Sequence, residues 1–86
     1  MKKFDYVIQD PLGIHARPAG LLVKAAKAYP DTQIMLAKGD SAVKATQLMK
    51  LMGLGVKGGD TLTVTAEGPQ EEAAIVALEA FLKEHL

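Results

Sequence analysis

Residues 61–68 read "TLTVTAEG". Leu62, Val64 and Ala66 fall on one side of an extended chain, and Thr61, Thr63 and Thr65 on the other. This period of two predicts a strand with its apolar side on a core and its threonines in water. One covered face suits an antiparallel sheet, since parallel sheets are covered on both. The alternation recurs in "FDYVIQD", residues 4–10, where Phe4, Tyr6 and Ile8 share one side and Asp5, Val7 and Gln9 the other. Between these two stretches, "TQIMLAKGDSAVKA", residues 32–45, predicts a hairpin. Gly39 and Asp40 supply its turn, with Ile34 and Leu36 on one arm and Val43 on the shorter one.

Three segments carry helical spacing instead. Over residues 16–29, Ala19, Leu22, Val23 and Ala26 form one stripe, Lys24 and Lys27 lie off it, and Pro30 stops the helix. Residues 46–52 predict a short apolar helix ending at Gly53. Over residues 70–85 the stripe is Ala74, Leu78, Phe81 and Leu82, and Pro69, Glu71 and Glu72 suit its amino end. The order is therefore βαββαβα. Half-covered strands and amphipathic helices combine as a two-layer α+β sandwich, with a mostly or wholly antiparallel sheet whose threonine-rich face is wet.

With 86 residues, one domain spanning residues 1–86 is expected. Apolar residues make up 49% and charged residues 23%, so the chain is globular rather than disordered or fibrous. The net charge of zero leaves no broad basic field for nucleic acid. The absence of cysteine excludes disulfides, thiol catalysis and cysteine-bound metal. No run reaches the ~20 apolar residues of a membrane span, and "MKKFDYVIQD" lacks the apolar core of a signal peptide. A cytoplasmic monomer without metal or cofactor is expected.

The candidate site lies in "PLGIHARPAGL", residues 11–21. Gly13 marks a bend, and the helical pattern begins at Ala16, which puts His15 at the N-cap and Ala16, Arg17 and Pro18 in the first turn. First-turn N–H groups lack intrahelical partners, and the helix dipole favours an anion there. Pro18 has no N–H, but that loss costs little at this place. The Ala16 and Arg17 amides remain free, and the Arg17 guanidinium suits phosphate oxygens. An imidazole beside such a pocket is equipped to carry a phosphoryl group, with a ring nitrogen as nucleophile. A lone histidine at a helix start is ordinarily a half-exposed polar residue, and a lone arginine a solvated charge. Their coincidence with a helix start raises the functional reading.

Here "GIHARPAGLLVKAAK", "QLMKLMGLGVKGGDTLTVTAEG" and "EEAAIVALEAFL" resemble HPr, the family of histidine-containing phosphocarriers of the bacterial phosphoenolpyruvate:sugar phosphotransferase system. The resemblance covers the whole chain. It implies an open-faced β-sandwich, a four-stranded antiparallel sheet with three helices on one face. It also implies that His15 accepts a phosphoryl group on Nδ1 from Enzyme I and passes it to a sugar-specific IIA protein or domain, with Arg17 holding the phosphate. Leu48, Met49 and Met52 would be exposed for docking, since methionine suits surfaces that meet several partners, while Leu51 is read as core. Gly20, Lys24 and Lys27 would ring this patch, the lysines facing acidic partners.

Two positions depart from the family pattern. Many members carry a regulatory serine at the start of the second helix, and Gln47 stands there. The neighbouring Thr46, one helical residue away, would face about 100° around the axis. Leu12 replaces a residue that is often small and polar, so a polar cap for the nearby backbone is expected to be missing.

His85 is read as structural, a cation suited to a helix carboxyl end. "GLGVKGGD" lacks the ending of a phosphate-binding P-loop and reads as a bend and turn. Glu67, Glu71 and Glu72 read as solvated and helix-end charges. The alternatives to a sugar phosphocarrier are an HPr-like regulatory binding module and a carrier in a branch such as dihydroxyacetone phosphorylation or nitrogen-linked control. His15 and Arg17 together argue against a role without phosphoryl transfer.

Overall fold

The computed structural model describes residues 1–86. Its elements are β1 (Lys2–Val7), α1 (Ala16–Lys27), β2 (Gln33–Lys38), β3 (Ser41–Lys44), α2 (Leu48–Gly53), β4 (Thr61–Glu67) and α3 (Glu71–His85). The strands form one sheet in the order β1-β4-β2-β3, and every pairing is antiparallel. Only β2 and β3 are joined by a hairpin, at Gly39 with φ 59°. β4 is inserted between β1 and β2.

The register aligns the apolar positions into a row. Phe4 pairs with Val64, Val64 with Leu36, and Leu36 with Val43. This row faces the helices. Leu36, Leu62, Val64 and Ala66 have no exposed surface, and they join one core with Ala19, Leu22, Leu51, Ala74, Leu78 and Leu82. Burying a leucine or valine contributes about 1.5–3 kcal/mol, so this cluster is the main favourable term. The opposite face carries the threonines, where Thr63 Oγ1 donates to Asp5 Oδ1 at 2.6 Å across the β1–β4 pair. The two-layer α+β sandwich expected from the periodicities, in the open-faced form that the family resemblance implies, is the fold observed.

Helix ends differ from the expected ones. α1 stops at Lys27, two residues short of Tyr29. Its exit is tightened by i→i−3 bonds, Ala28 N–H to Ala25 O and Tyr29 N–H to Ala26 O, before Pro30 turns the chain away. α2 begins at Leu48 rather than residue 46. Gln47 is its extended N-cap, with φ −108° and ψ 94°, and Gln47 N–H closes a turn onto Lys44 O at 3.1 Å. Thr46 therefore lies in that turn, and helical rotation does not relate it to Gln47. α3 begins at Glu71, with Gln70 as N-cap. No helix is long and apolar enough to cross a membrane.

Candidate functional site

The segment before α1 is built from Asp10. Pro11 sets φ for a tight turn, and the turn closes with Gly13 N–H donating to Asp10 O at 2.9 Å. Asp10 Oδ1 accepts Leu12 N–H at 2.9 Å, a local side-chain turn typical of aspartate. This corrects the expectation of a missing backbone cap at Leu12, because Asp10 supplies the cap from two residues upstream. Gly13 has φ 68° and carries the chain into α1. The Asp10 backbone is itself anchored, since the N–H groups of Gln9 and Asp10 both donate to Leu86 O, at 2.6 and 2.9 Å.

His15 is the N-cap of α1, with extended backbone at φ −108° and ψ 178°. Its carbonyl accepts Ala19 N–H at 2.9 Å and starts the helical ladder, but its side chain caps nothing. The ring is half-buried, and Nε2 lies 3.3 Å from Asp10 Oδ2. Nδ1 makes no hydrogen bond within the chain. The N–H groups of Ala16 and Arg17 have no backbone partner, and both residues are exposed. Pro18 is buried beneath them. Arg17 forms no ion pair. The Leu12 N–H, and after it the His15 ring, hold the Asp10 carboxyl below the usual carboxylate range. A fixed anion thus stands on one side of the imidazole, and unpaired donors lie at the helix end on which it sits.

Arg17, Gly20, Lys24 and Lys27 are spaced three or four apart and share one stripe of α1. Lys24 and Lys27 are exposed and sit in the last turn, where cations complement the dipole. On α2, Leu48, Met49 and Met52 are 39%, 82% and 40% exposed, while Leu51 is fully buried. A six-residue helix has one inward side, and Leu51 occupies it. Leu12 and Leu21, not named from the sequence as contact residues, are also exposed apolar side chains near the start of α1. Asp10 was missed as well. Its signal, an aspartate before proline five residues ahead of the histidine, reads as an ordinary turn.

None of the surface hollows is lined by His15. No three His, Cys, Asp or Glu side chains are gathered to hold a metal ion. His85 packs at a tilt of 36° against Phe81, ring centroids 4.5 Å apart, at the carboxyl end of α3. The half-exposed His15 imidazole lies at the α1 amino end, outside all three surface hollows. An accessible imidazole beside unpaired helix-end donors suits a group-carrying protein.

Comparison with known proteins specifies that class. A family model described as the PTS HPr component phosphorylation site matches residues 2–84. The phosphocarrier protein HPr of Mycoplasma genitalium is 38% identical over 85 residues, covering 99% of this chain and 97% of that protein. A crystal structure of HPr-C-His from Thermoanaerobacter tengcongensis superimposes with a TM-score of 0.92 at 38% identity, covering 98% of this chain and 93% of that one. A structure from the same organism described as an HPr dimer aligns with a TM-score of 0.77 at 38% identity over 98% of this chain and 95% of that one. The chain belongs to the HPr family, the phosphocarriers of the phosphotransferase system.

Proposed function

We propose that His15 is the phosphoryl-bearing residue of this phosphocarrier, accepting the group on Nδ1 from Enzyme I and delivering it to IIA proteins or domains. The observation that carries this reading is the unengaged Nδ1 of a helix N-cap histidine beside two unpartnered amides. A phosphoryl group on Nδ1 brings negative charge to the α1 amino end. There the Ala16 and Arg17 N–H groups and the dipole favour it by about 0.3–1 kcal/mol, and by up to about 2 kcal/mol when partly buried. Arg17, free of any carboxylate, adds a charge-assisted contact to the phosphoryl oxygens. These donors face an anion in the phosphorylated and transition states and only solvent in the resting state, so they favour the transfer rather than the resting carrier.

Both partners must be met and released. Exposed Leu48, Met49 and Met52 form a small adaptable apolar surface for this, and Gly20, Lys24 and Lys27 continue it along α1. The lysines speed encounter with acidic partners. The carrier works as a monomer at each transfer, in the cytoplasm where phosphoenolpyruvate is made, and needs no metal or cofactor of its own. Gln47 offers no hydroxyl for regulatory phosphorylation.

The test is incubation with Enzyme I and labelled phosphoenolpyruvate. Acid-labile, base-stable label is expected on His15, lost in His15→Ala and retained in His85→Ala. Label on His15→Ala equal to that on the native chain overturns the assignment.

A further inference from the structure

We infer that Asp10 is a positioning residue for the transfer at His15: its carboxylate keeps the ring proton on Nε2 and leaves the Nδ1 lone pair free to take the phosphoryl group. The inference rests on the phosphocarrier reading of His15 and adds a member to its machinery.

The geometry leaves the Asp10 carboxylate little freedom. Its backbone N–H is tied to Leu86 O at 2.9 Å, and its carbonyl accepts Gly13 N–H at 2.9 Å. Gly58 packs so closely on this backbone that a Cβ there would stand 2.7 Å from Asp10 O and 2.9 Å from Pro11 Cα. Of the two carboxylate oxygens, Oδ1 is occupied by Leu12 N–H at 2.9 Å. Oδ2 is thereby turned to His15 Nε2 at 3.3 Å, with the carboxyl side chain only one-quarter exposed. The Leu12 N–H also keeps this carboxyl ionised to lower pH than usual. An ionised carboxylate has no proton to give, so the hydrogen of this contact belongs to the ring. A neutral imidazole with its proton on Nε2 has its lone pair on Nδ1.

The same arrangement acts during transfer. The Nδ1 lone pair forms the new N–P bond while the bond from phosphorus to the donor's phosphate-bearing atom breaks, its electron pair returning to that atom. Nε2 keeps its proton, so the His15 ring becomes an imidazolium. That positive charge develops 3.3 Å from Asp10 Oδ2. The contact thus strengthens as the group arrives, and it favours the protonated ring, which is the better leaving group when the phosphoryl moves on.

Asp10→Asn separates this role from the structural one. Its carbonyl oxygen keeps the Leu12 N–H, and its amide nitrogen replaces Oδ2 and donates to Nε2. The ring proton is then driven to Nδ1. Nitrogen-15 NMR of the ring across alkaline pH reads the tautomer directly. The native chain is expected to show the Nε2–H form, and Asp10→Asn a shift toward Nδ1–H. Phosphoryl acceptance from Enzyme I is expected to fall about 10- to 100-fold, as where other partners that fix an imidazole tautomer are lost. A native chain with the proton mainly on Nδ1 overturns the inference without any variant being needed. So does Asp10→Asn with unchanged tautomer and transfer rate. In that outcome label still reaches His15, so the phosphocarrier reading stands. Absence of label from His15 in the native chain takes both down.

Discussion

Gly13 and Val56 meet backbone against backbone. Ile14 N–H donates to Val56 O at 3.1 Å, and a Cβ on Gly13 would overlap that same oxygen and lie 2.5 Å from Lys57 Cα. Gly58 makes the reciprocal approach to Asp10 and Pro11. The segment carrying His15 and the loop leading into β4 are therefore locked together through two glycines.

Gly13→Ala is expected to destabilise the domain, because φ 68° strains a residue with a Cβ and the space is already filled by backbone. The strained backbone alone costs about 1–3 kcal/mol, read from urea denaturation. Gly20→Ala is the contrast. Gly20 lies inside α1, and a Cβ there would have open space around it for 4 Å, so stability should rise by about 0.5–1 kcal/mol. Equal effects of the two substitutions would contradict this account of the lock.

Arg17→Gln should slow phosphoryl transfer while leaving the fold intact, since Arg17 is exposed and unpaired and glutamine is a good helix former. Loss of one charge-assisted contact corresponds to about 1.5–3 kcal/mol. Rapid-quench measurement of both half-reactions, with the circular-dichroism melt as control, checks it. Unchanged rates would remove Arg17 from the transfer.

Met49→Asp and Leu51→Ala divide α2 into two sides. Met49 is 82% exposed, so a carboxylate there stays in water until a partner desolvates it, and binding should weaken without loss of fold. Leu51 is fully buried, and its truncation should cost about 2–5 kcal/mol. Calorimetric titration with Enzyme I and thermal melts distinguish the two. Unfolding by Met49→Asp would place that side chain in the core.

The acid limb of stability should depend on Lys38. Its Nζ lies 2.9 Å from Asp60 Oδ2 and 2.8 Å from Gly55 O, clasping the loop that holds Gly13. The hydrogen bond from Lys38, then that from Lys57 N–H, keep the Asp60 carboxyl below its ordinary value. Unfolded aspartate titrates near about 3.9, so below that pH the unfolded chain binds the proton more readily than the folded one. The clasp's contribution is full above that value and is lost as pH falls through the depressed folded one. Lys38→Met should flatten, without abolishing, the decline in stability below about pH 4, because Asp10 and Glu71 are also depressed. An unchanged slope in urea melts across pH would refute the assignment.

An HPr kinase with ATP should leave the native chain unmodified and should phosphorylate Gln47→Ser. Gln47 is the exposed N-cap of α2, a position that also favours serine. Mass spectrometry locates the phosphate. Stoichiometric acid-stable phosphate on Thr46 or Ser41 of the native chain would count against this reading.

The alternating Leu62, Val64 and Ala66, and the stripe of Ala19, Leu22, Val23 and Ala26, are fully legible in the chain, because burial on one face imposes a local period. The start of α1 just after His15 is legible for the same kind of reason, since proline, helix pattern and free amides all lie within one turn. Periodicity carries no information about neighbours. That β4 enters between β1 and β2 follows from long-range pairings such as Phe4 with Val64 and Leu36 with Val64. The helix ends, too, depend on turns that pack elsewhere, as at Gln47 and Lys44. The largest gap is Asp10. Its partnership with His15 exists because Leu86, from the far end of the chain, holds its amide and Gly58 presses on its carbonyl. A five-residue spacing in a loop has no preferred geometry of its own, and only contacts from remote segments give it one.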